Sequence, residues 1–241
     1  MTNTVITLNN LVKRGHIMDY RRNRRYFETI NWILIGGILV VAAIILYFFI
    51  LVGIAIILGV GVYIYFKLRD NPTDGEIDDA IEEYTHTILQ KGYRKLGLDP
   101  DDVNLIEPFV VHGPSVEEIS YDPAIKKGKD QRVRSSNHEA MAFYFKNQQV
   151  HIYHQTFSII DDEQNETITE LFYKDIMAIL TSSTTTMYYN DLRKRDEFFQ
   201  LDAIKLSTLG SINVECAVQD LDKVRTQIRR MKSLIRQTRS D

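Results

Sequence analysis

Residues 32–66 form a run of 35 positions with no charged residue and no Ser, Thr, Asn or Gln. At about 1.5 Å of rise per residue, a straight helix of that length would reach roughly 50 Å, well past a hydrocarbon core of about 30 Å. The run is therefore predicted to break near residues 49–53 into two helices of about 17 residues, the lower limit for a span, joined by a tight turn. The alternative is one long, strongly tilted helix. The run starts far from the N-terminus and exceeds the apolar segment of about 7–15 residues found in a cleaved signal peptide. It is expected to stay on the mature chain as a membrane anchor.

The flanks set an expected orientation. Lys13, Arg14, Arg21, Arg22, Arg24 and Arg25 precede the run, and Lys67 and Arg69 follow it. The positive-inside bias places the N-terminus in the cytoplasm, and a hairpin would return the C-terminal domain to that side of the plasma (inner) membrane. Trp32, Tyr63 and Tyr65 stand where interfacial aromatic anchors are expected. The RRNRR stretch at 21–25 suits anionic headgroups as well as topology. Nucleic-acid binding is disfavoured, because these cations sit beside the membrane and not across a globular face. Gly36, Gly37, Ala42, Ala43, Gly53, Gly59 and Gly61 would let helices approach closely, although no G-x-x-x-G spacing occurs. Intramembrane charges mark ion and proton pathways, so a pump or coupled transporter is disfavoured. The run reads as an anchor or an element of a homo-oligomer.

The formal net charge of -3 averages a basic N-terminal region with an acidic one behind the run. Cys216 is the only cysteine, which excludes an intrachain disulfide and a four-cysteine zinc site and suits a reducing compartment. It is expected to be a small buried strand residue.

Behind the anchor, NPTDG at 71–75 marks a break. Ile77, Ala80, Ile81, Tyr84, Ile88 and Leu89 then recur at helical spacing, predicting an amphipathic helix over 75–96 that opens acidic and closes on Lys91, Arg94 and Lys95. Residues 108–112 are apolar. The stretch after Gly113 and Pro114 reads as irregular and carries KKGKDQRVR at 126–134. From His138 the period becomes strand-like: 140–146 and 150–160 as a hairpin, a polar turn at 161–165, then strands at 166–173, 176–186, 197–206 and 211–218. Residues 220–239 are predicted to form an amphipathic closing helix with Leu221, Val224, Ile228, Met231 and Ile235 on one face. The expected organisation is a basic segment over 1–30, a transmembrane hairpin over 31–67, a linker helix over 75–97 and a β-rich domain over 105–241. The fold class is α+β, with an antiparallel sheet curled over a core.

The strand series ending in the helix DLDKVRTQIRRMKSLI, together with the N-terminal membrane hairpin, resembles the bacterial membrane-anchored proteins that carry pleckstrin-homology-like domains. The resemblance spans about 109–239 and rests on pattern without a diagnostic motif. In lipid-binding members, basic residues near the first hairpin hold phosphorylated headgroups. Lys126, Lys127, Lys129, Arg132 and Arg134 stand in a similar place, where charge-assisted hydrogen bonds could converge on a phosphate. The plainer reading of that run is a solvated loop.

Catalytic signatures are missing: there is no Cys pair, H-E-x-x-H, Walker A or dinucleotide glycine motif. His151 and His154 sit three apart in a predicted strand, so they point to opposite faces and do not share a metal. The TSSTTT tract at 181–186 reads as a half-exposed strand. The expectation is a non-enzymatic membrane-tethered scaffold or regulator, without cofactor or metal, whose β domain binds a protein partner or an anionic lipid headgroup. A second expectation comes from another resemblance. Two-helix anchors fused to a β-barrel sensor are similar to bacterial antiphage effectors that bind cyclic nucleotides and disrupt membranes.

Overall fold

The computed structural model describes residues 18–99, 106–115, 123–146, 148–190, 195–210 and 213–240. Its class is α+β, with helices at the N-terminus, antiparallel sheets and a C-terminal helix.

The apolar run breaks at Phe49, which adopts an extended conformation (φ -138°, ψ 82°) between α2 (Trp32–Phe48) and α3 (Ile50–Arg69). Asn31 caps α2 by accepting from the Leu34 N–H at 3.1 Å. The chain reverses here. Gly53 lies against Leu46 across the turn, where an added Cβ would fall 2.5 Å from the Leu46 Cα. At the far ends, Lys67 pairs with Glu28 at 2.6 Å and Arg25 with Asp70 at 3.2 Å. By length and composition α3 suffices to cross a membrane, whereas α2 passes that test only jointly with α1 (Tyr20–Phe27), from which it bends by 78°. Most side chains of the pair have no protein around them: Ile33 is 90% exposed and Leu51 84%.

Helix α1 docks on the β domain and does not trail as a bare basic segment. Asn23 and Tyr26 are buried; Asn23 Nδ2 donates to the Ile159 carbonyl at 3.0 Å, and the Tyr26 hydroxyl donates to Asp74 Oδ1 at 2.8 Å. Helix α4 (Asp74–Leu96) follows the apolar pair almost at once. Thr73 and Glu76 form a reciprocal capping box, and Gly97, in the left-handed region at φ +61°, ends the helix. Ile77, Ile81 and Ile88 are buried under it.

Four strands form one antiparallel sheet in the order β1 (Phe109–Pro114), β4 (Asn137–Phe145), β5 (Gln149–Ser158) and β6 (Gln164–Phe172). β2 (Ile125–Lys127) and β3 (Val133–Ser135) make a small separate hairpin. A 3-10 turn at Tyr173–Asp175 leads into a three-stranded sheet of β7 (Ile176–Asn190), β8 (Arg195–Thr208) and β9 (Asn213–Val218), and α5 (Leu221–Ser240) closes the chain. The two larger sheets adjoin where β9 leaves toward α5: the Gln219 N–H donates to the His112 carbonyl at 2.7 Å, and Gly113 is pressed against the Ala217 backbone.

β4 is buried on both faces, which explains its continuous apolar run. Met141, Phe143 and Phe145 point into the inner core with Ile152, Leu206, Cys216 and the α5 residues Ile228, Met231 and Ile235. Ala140, Ala142 and Tyr144 face outward against Ile77, Ile81 and Ile88 of α4. The helix expected as a linker is therefore part of the domain, covering the outer face of its four-stranded sheet.

The apolar stretch at 108–112 supplies most of strand β1, and two expectations are corrected. The stretch read as irregular after Pro114 contains β2 and β3, with Lys126 opposite Arg134. The three-residue sequences IKK and VRS are too short and too charged to show strand periodicity. β7 and β8 also run on past 186 and start before 197, because cross-strand pairing carries a polar hairpin beyond its apolar part.

Candidate functional site

The β2–β3 hairpin is the segment of KKGKDQRVR, and its turn is built tightly. The Gly128 N–H donates to the Arg132 carbonyl at 2.8 Å and the Gln131 N–H to the Gly128 carbonyl at 3.2 Å, with Gln131 at φ +68°. Asp74, in the first turn of α4, accepts from the Lys129 backbone N–H at 2.7 Å. The hairpin is thus held where α4 starts, beside the open end of the apolar pair.

The structure divides the five predicted cations. Arg134 is 3% exposed and fully occupied: its Nε and Nη2 donate to the two oxygens of Asp78 at 2.8 and 2.7 Å, and its Nη1 and Nη2 to the two oxygens of Asp130 at 2.9 and 2.8 Å. The hydrogen bonds from Arg134 hold the Asp130 carboxyl down at about 2, and those from Asp130 raise the guanidinium further above its usual range. Lys126 donates from Nζ to the Tyr26 carbonyl and lies 3.9 Å from the centre of the Tyr26 ring, and burial lowers its pKa. These two residues fasten the hairpin to α1 and α4. Lys127, Lys129 and Arg132 are exposed, and among the described residues none of their side chains forms an ion pair.

Two clefts of about 510 Å³ meet at Arg132. One lies between the β2–β3 hairpin and β8 and is bordered by Lys127, Arg132, Val133, Phe198, Gln200 and Asp202. The other lies between α4, β1 and the start of α5, with Glu82, His86, His112, Asp220 and Lys223 on its walls. His112 Nδ1 is buried there without a hydrogen-bond partner, and burial lowers the pKa of the ring, so it is neutral near pH 7.

Four of the six flanking cations among the described residues act as staples. Arg22 pairs with Glu76, Arg25 with Asp70 and Lys67 with Glu28, and Arg24 Nη2 donates to the Ile160 carbonyl at 3.2 Å. Arg69 lies 6.0 Å over the Tyr65 ring, and Arg21 is exposed. Lys13 and Arg14 lie outside the described residues.

His151 and His154 point to opposite faces as the strand period requires. His151 Nδ1 is 3.3 Å from Glu170 Oε1, and His154 Nε2 is 3.0 Å from Glu139 Oε2. His138 is buried, its Nε2 3.0 Å from the Ser135 carbonyl, and burial drives its pKa down to about 3. Sequence reasoning missed one cluster: among the described residues, Glu139, His154 and Cys216 bring ligand-type atoms within 4.8 Å of one another. They come from β4, β5 and β9, so no sequence spacing links them. Comparison with protein-family models, curated proteins and solved structures returns no match for this chain.

Proposed function

We propose that the chain is a membrane-tethered, non-enzymatic scaffold or regulator whose pleckstrin-homology-like domain meets anionic headgroups through Lys127, Lys129 and Arg132. The observation that carries this reading is the position of those three unpaired cations. They sit on a hairpin bolted by Arg134 and Lys126 to α4 and α1, the two helices that flank the apolar pair. The exposed apolar surface of α2 and α3 supports insertion: side chains as bare as Ile33 and Leu51 need lipid or another apolar surface around them. At about 1.5 Å per residue, α3 with its 20 residues reaches roughly 30 Å, one hydrocarbon thickness. The order of a four-stranded sheet, a three-stranded sheet and a closing helix supports the pleckstrin-like resemblance. The staples at both ends of the apolar pair support a position of the β domain at headgroup level, and the positive-inside bias supports the cytoplasmic side. Each cation held near an anionic surface contributes about 1 kcal/mol.

The test uses the full chain in nanodiscs of zwitterionic lipid alone or mixed with anionic lipid, read by hydrogen exchange over residues 123–135. Anionic lipid is expected to slow exchange there, and the triple variant Lys127→Glu, Lys129→Glu, Arg132→Glu to abolish the difference. Equal exchange in both lipids would overturn the headgroup reading. Protection by a soluble cyclic nucleotide in zwitterionic nanodiscs would replace it with the sensor reading.

A further inference from the structure

We infer that Glu139, His154 and Cys216 form a divalent-cation site of the zinc type, which ties β9 to the four-stranded sheet. The placement of these residues is the first argument. Along β4, the side of the strand that carries Met141, Phe143 and Phe145 into the inner core also carries Glu139. Along β5, His154 continues the series of Val150 and Ile152; along β9, Cys216 lies between Val214 and Val218. All three therefore lie on the faces that carry the inner core, with Glu139 and His154 at its edge, where those faces pass to the polar Asn137 and Thr156. A carboxylate and an imidazole on such positions are costly unless something there uses them.

The donor set is the second argument. A thiolate, an imidazole nitrogen and a carboxylate oxygen suit zinc and its spectroscopic stand-in cobalt, whereas magnesium and calcium prefer oxygen alone. The three donor atoms already lie within 4.8 Å of one another. Glu139 and His154 retain 18% and 25% of their side-chain exposure, so an ion can enter and water can fill the position that three protein ligands leave open. Glu139 is also oriented: its Oε1 accepts from the Ala217 N–H at 2.7 Å, fixing the carboxylate between the sheets while Oε2 faces His154.

The third argument is the seam itself. The adjoining edges of the two larger sheets are not paired as a regular ladder, and Glu139 supplies the acceptor that the Ala217 N–H would otherwise find in a strand. An ion held by β4, β5 and β9 would close that seam. Binding balances simply: the Cys216 thiol loses its proton to solvent as its sulfur joins the ion, and the Glu139 carboxylate and a His154 ring nitrogen turn to the ion from their contact with each other. One proton is released per ion. The buried thiol, protonated without metal, becomes a ligand only with it.

The test takes the full chain in detergent, stripped with a chelator and titrated with cobalt(II). One equivalent is expected to give a thiolate-to-cobalt charge-transfer band in the near ultraviolet with ligand-field bands of tetrahedral intensity, all erased by zinc. Cys216→Ser should lose the charge-transfer band, and His154→Ala and Glu139→Gln should each weaken binding at least about tenfold. Zinc should raise the thermal midpoint of the native chain more than that of any of the three variants. Absence of the charge-transfer band in the native chain overturns the proposal whether or not any variant folds. A band that survives in folded Cys216→Ser, or unchanged cobalt affinity in both His154→Ala and Glu139→Gln, overturns it as well.

Discussion

Arg134 of β3 and Asp78 of α4 meet through two parallel hydrogen bonds, Nε to Oδ1 at 2.8 Å and Nη2 to Oδ2 at 2.7 Å. The pair joins a hairpin of six strand residues, too short to be stable alone, to the helix that emerges from the apolar pair. Asp130 binds the other side of the same guanidinium. One buried cation thus fixes the position of the three exposed ones.

That arrangement predicts non-additive loss. Asp78→Asn or Asp130→Asn alone leaves Arg134 one carboxylate and should cost about 1–2 kcal/mol, whereas the double variant strands a buried charge and should cost about 3–5 kcal/mol, more than the sum. Chemical denaturation of the full chain in mild detergent measures the three values. An additive double variant would mean that the guanidinium finds water or another partner.

Acid stability should fall in two phases. His138 is held by burial at about 3 against its usual 6.5, so between those values the unfolded chain binds a proton that the folded one refuses. Its contribution is complete above about pH 6.5 and is lost as pH falls toward 3. Glu166 is shifted in the same direction for a different reason: burial works to raise its pKa, but the hydrogen bonds from Lys91 and Lys95 overcome that and leave it at about 2. Its contribution, like that of Asp130, is complete above the usual carboxylate range and is lost only as pH falls toward 2. Thermal midpoints measured from neutral pH downward should begin to drop below about pH 6.5 in the native chain and drop less steeply between about pH 6.5 and 4.5 in His138→Gln, where His112, also lowered by burial, still contributes. Identical profiles would refute the assignment to His138.

A close approach between α4 and β4 gives a third test. An added Cβ at Gly92 would land on the hydroxyl of Tyr144, which is buried and donates to the Leu89 carbonyl at 2.6 Å. Gly92→Ala should destabilise by about 1–3 kcal/mol through overpacking. Tyr144→Phe removes the nearest atom and leaves the ring carbon at 2.9 Å, so Gly92→Ala in the Tyr144→Phe background should cost less than in the native chain. Equal costs in the two backgrounds would show that the clash lies elsewhere.

The sequence shows those parts of the fold whose signal is local. The break in the apolar run, the 75–96 helix, the strand pairs from 140 onward and the closing helix all follow from periodicity and turn residues. Asp220, expected at the start of that last helix, accepts from the Asp222 and Lys223 N–H groups as an N-cap does. What the sequence hides is long-range. Nothing near Arg134 announces Asp78, 56 positions away, so a residue grouped with the free cations turned out to be a buried clasp. In the same way Glu139, His154 and Cys216 share a site only because three strands pass side by side.

The reversal of the chain at Phe49 carries the last prediction. Glu28 and Lys67 are 39 positions apart in sequence, yet their charged tips lie 2.6 Å from each other. A single unbroken helix over the same stretch would separate them by roughly 58 Å at 1.5 Å per residue. Spin labels on Glu28→Cys and Lys67→Cys, in a Cys216→Ser background and in lipid nanodiscs, should report a short distance limited by the label arms. The close contact at the turn sharpens the test: Gly53 admits no side chain, since a Cβ there would reach the Leu46 backbone. Gly53→Leu should push the two helices apart and lengthen or broaden the distance distribution, while Gly59→Leu, with open space around its position, should leave it unchanged. A long distance in the parent chain would replace the hairpin with one tilted helix, and with it the placement of the basic hairpin at headgroup level.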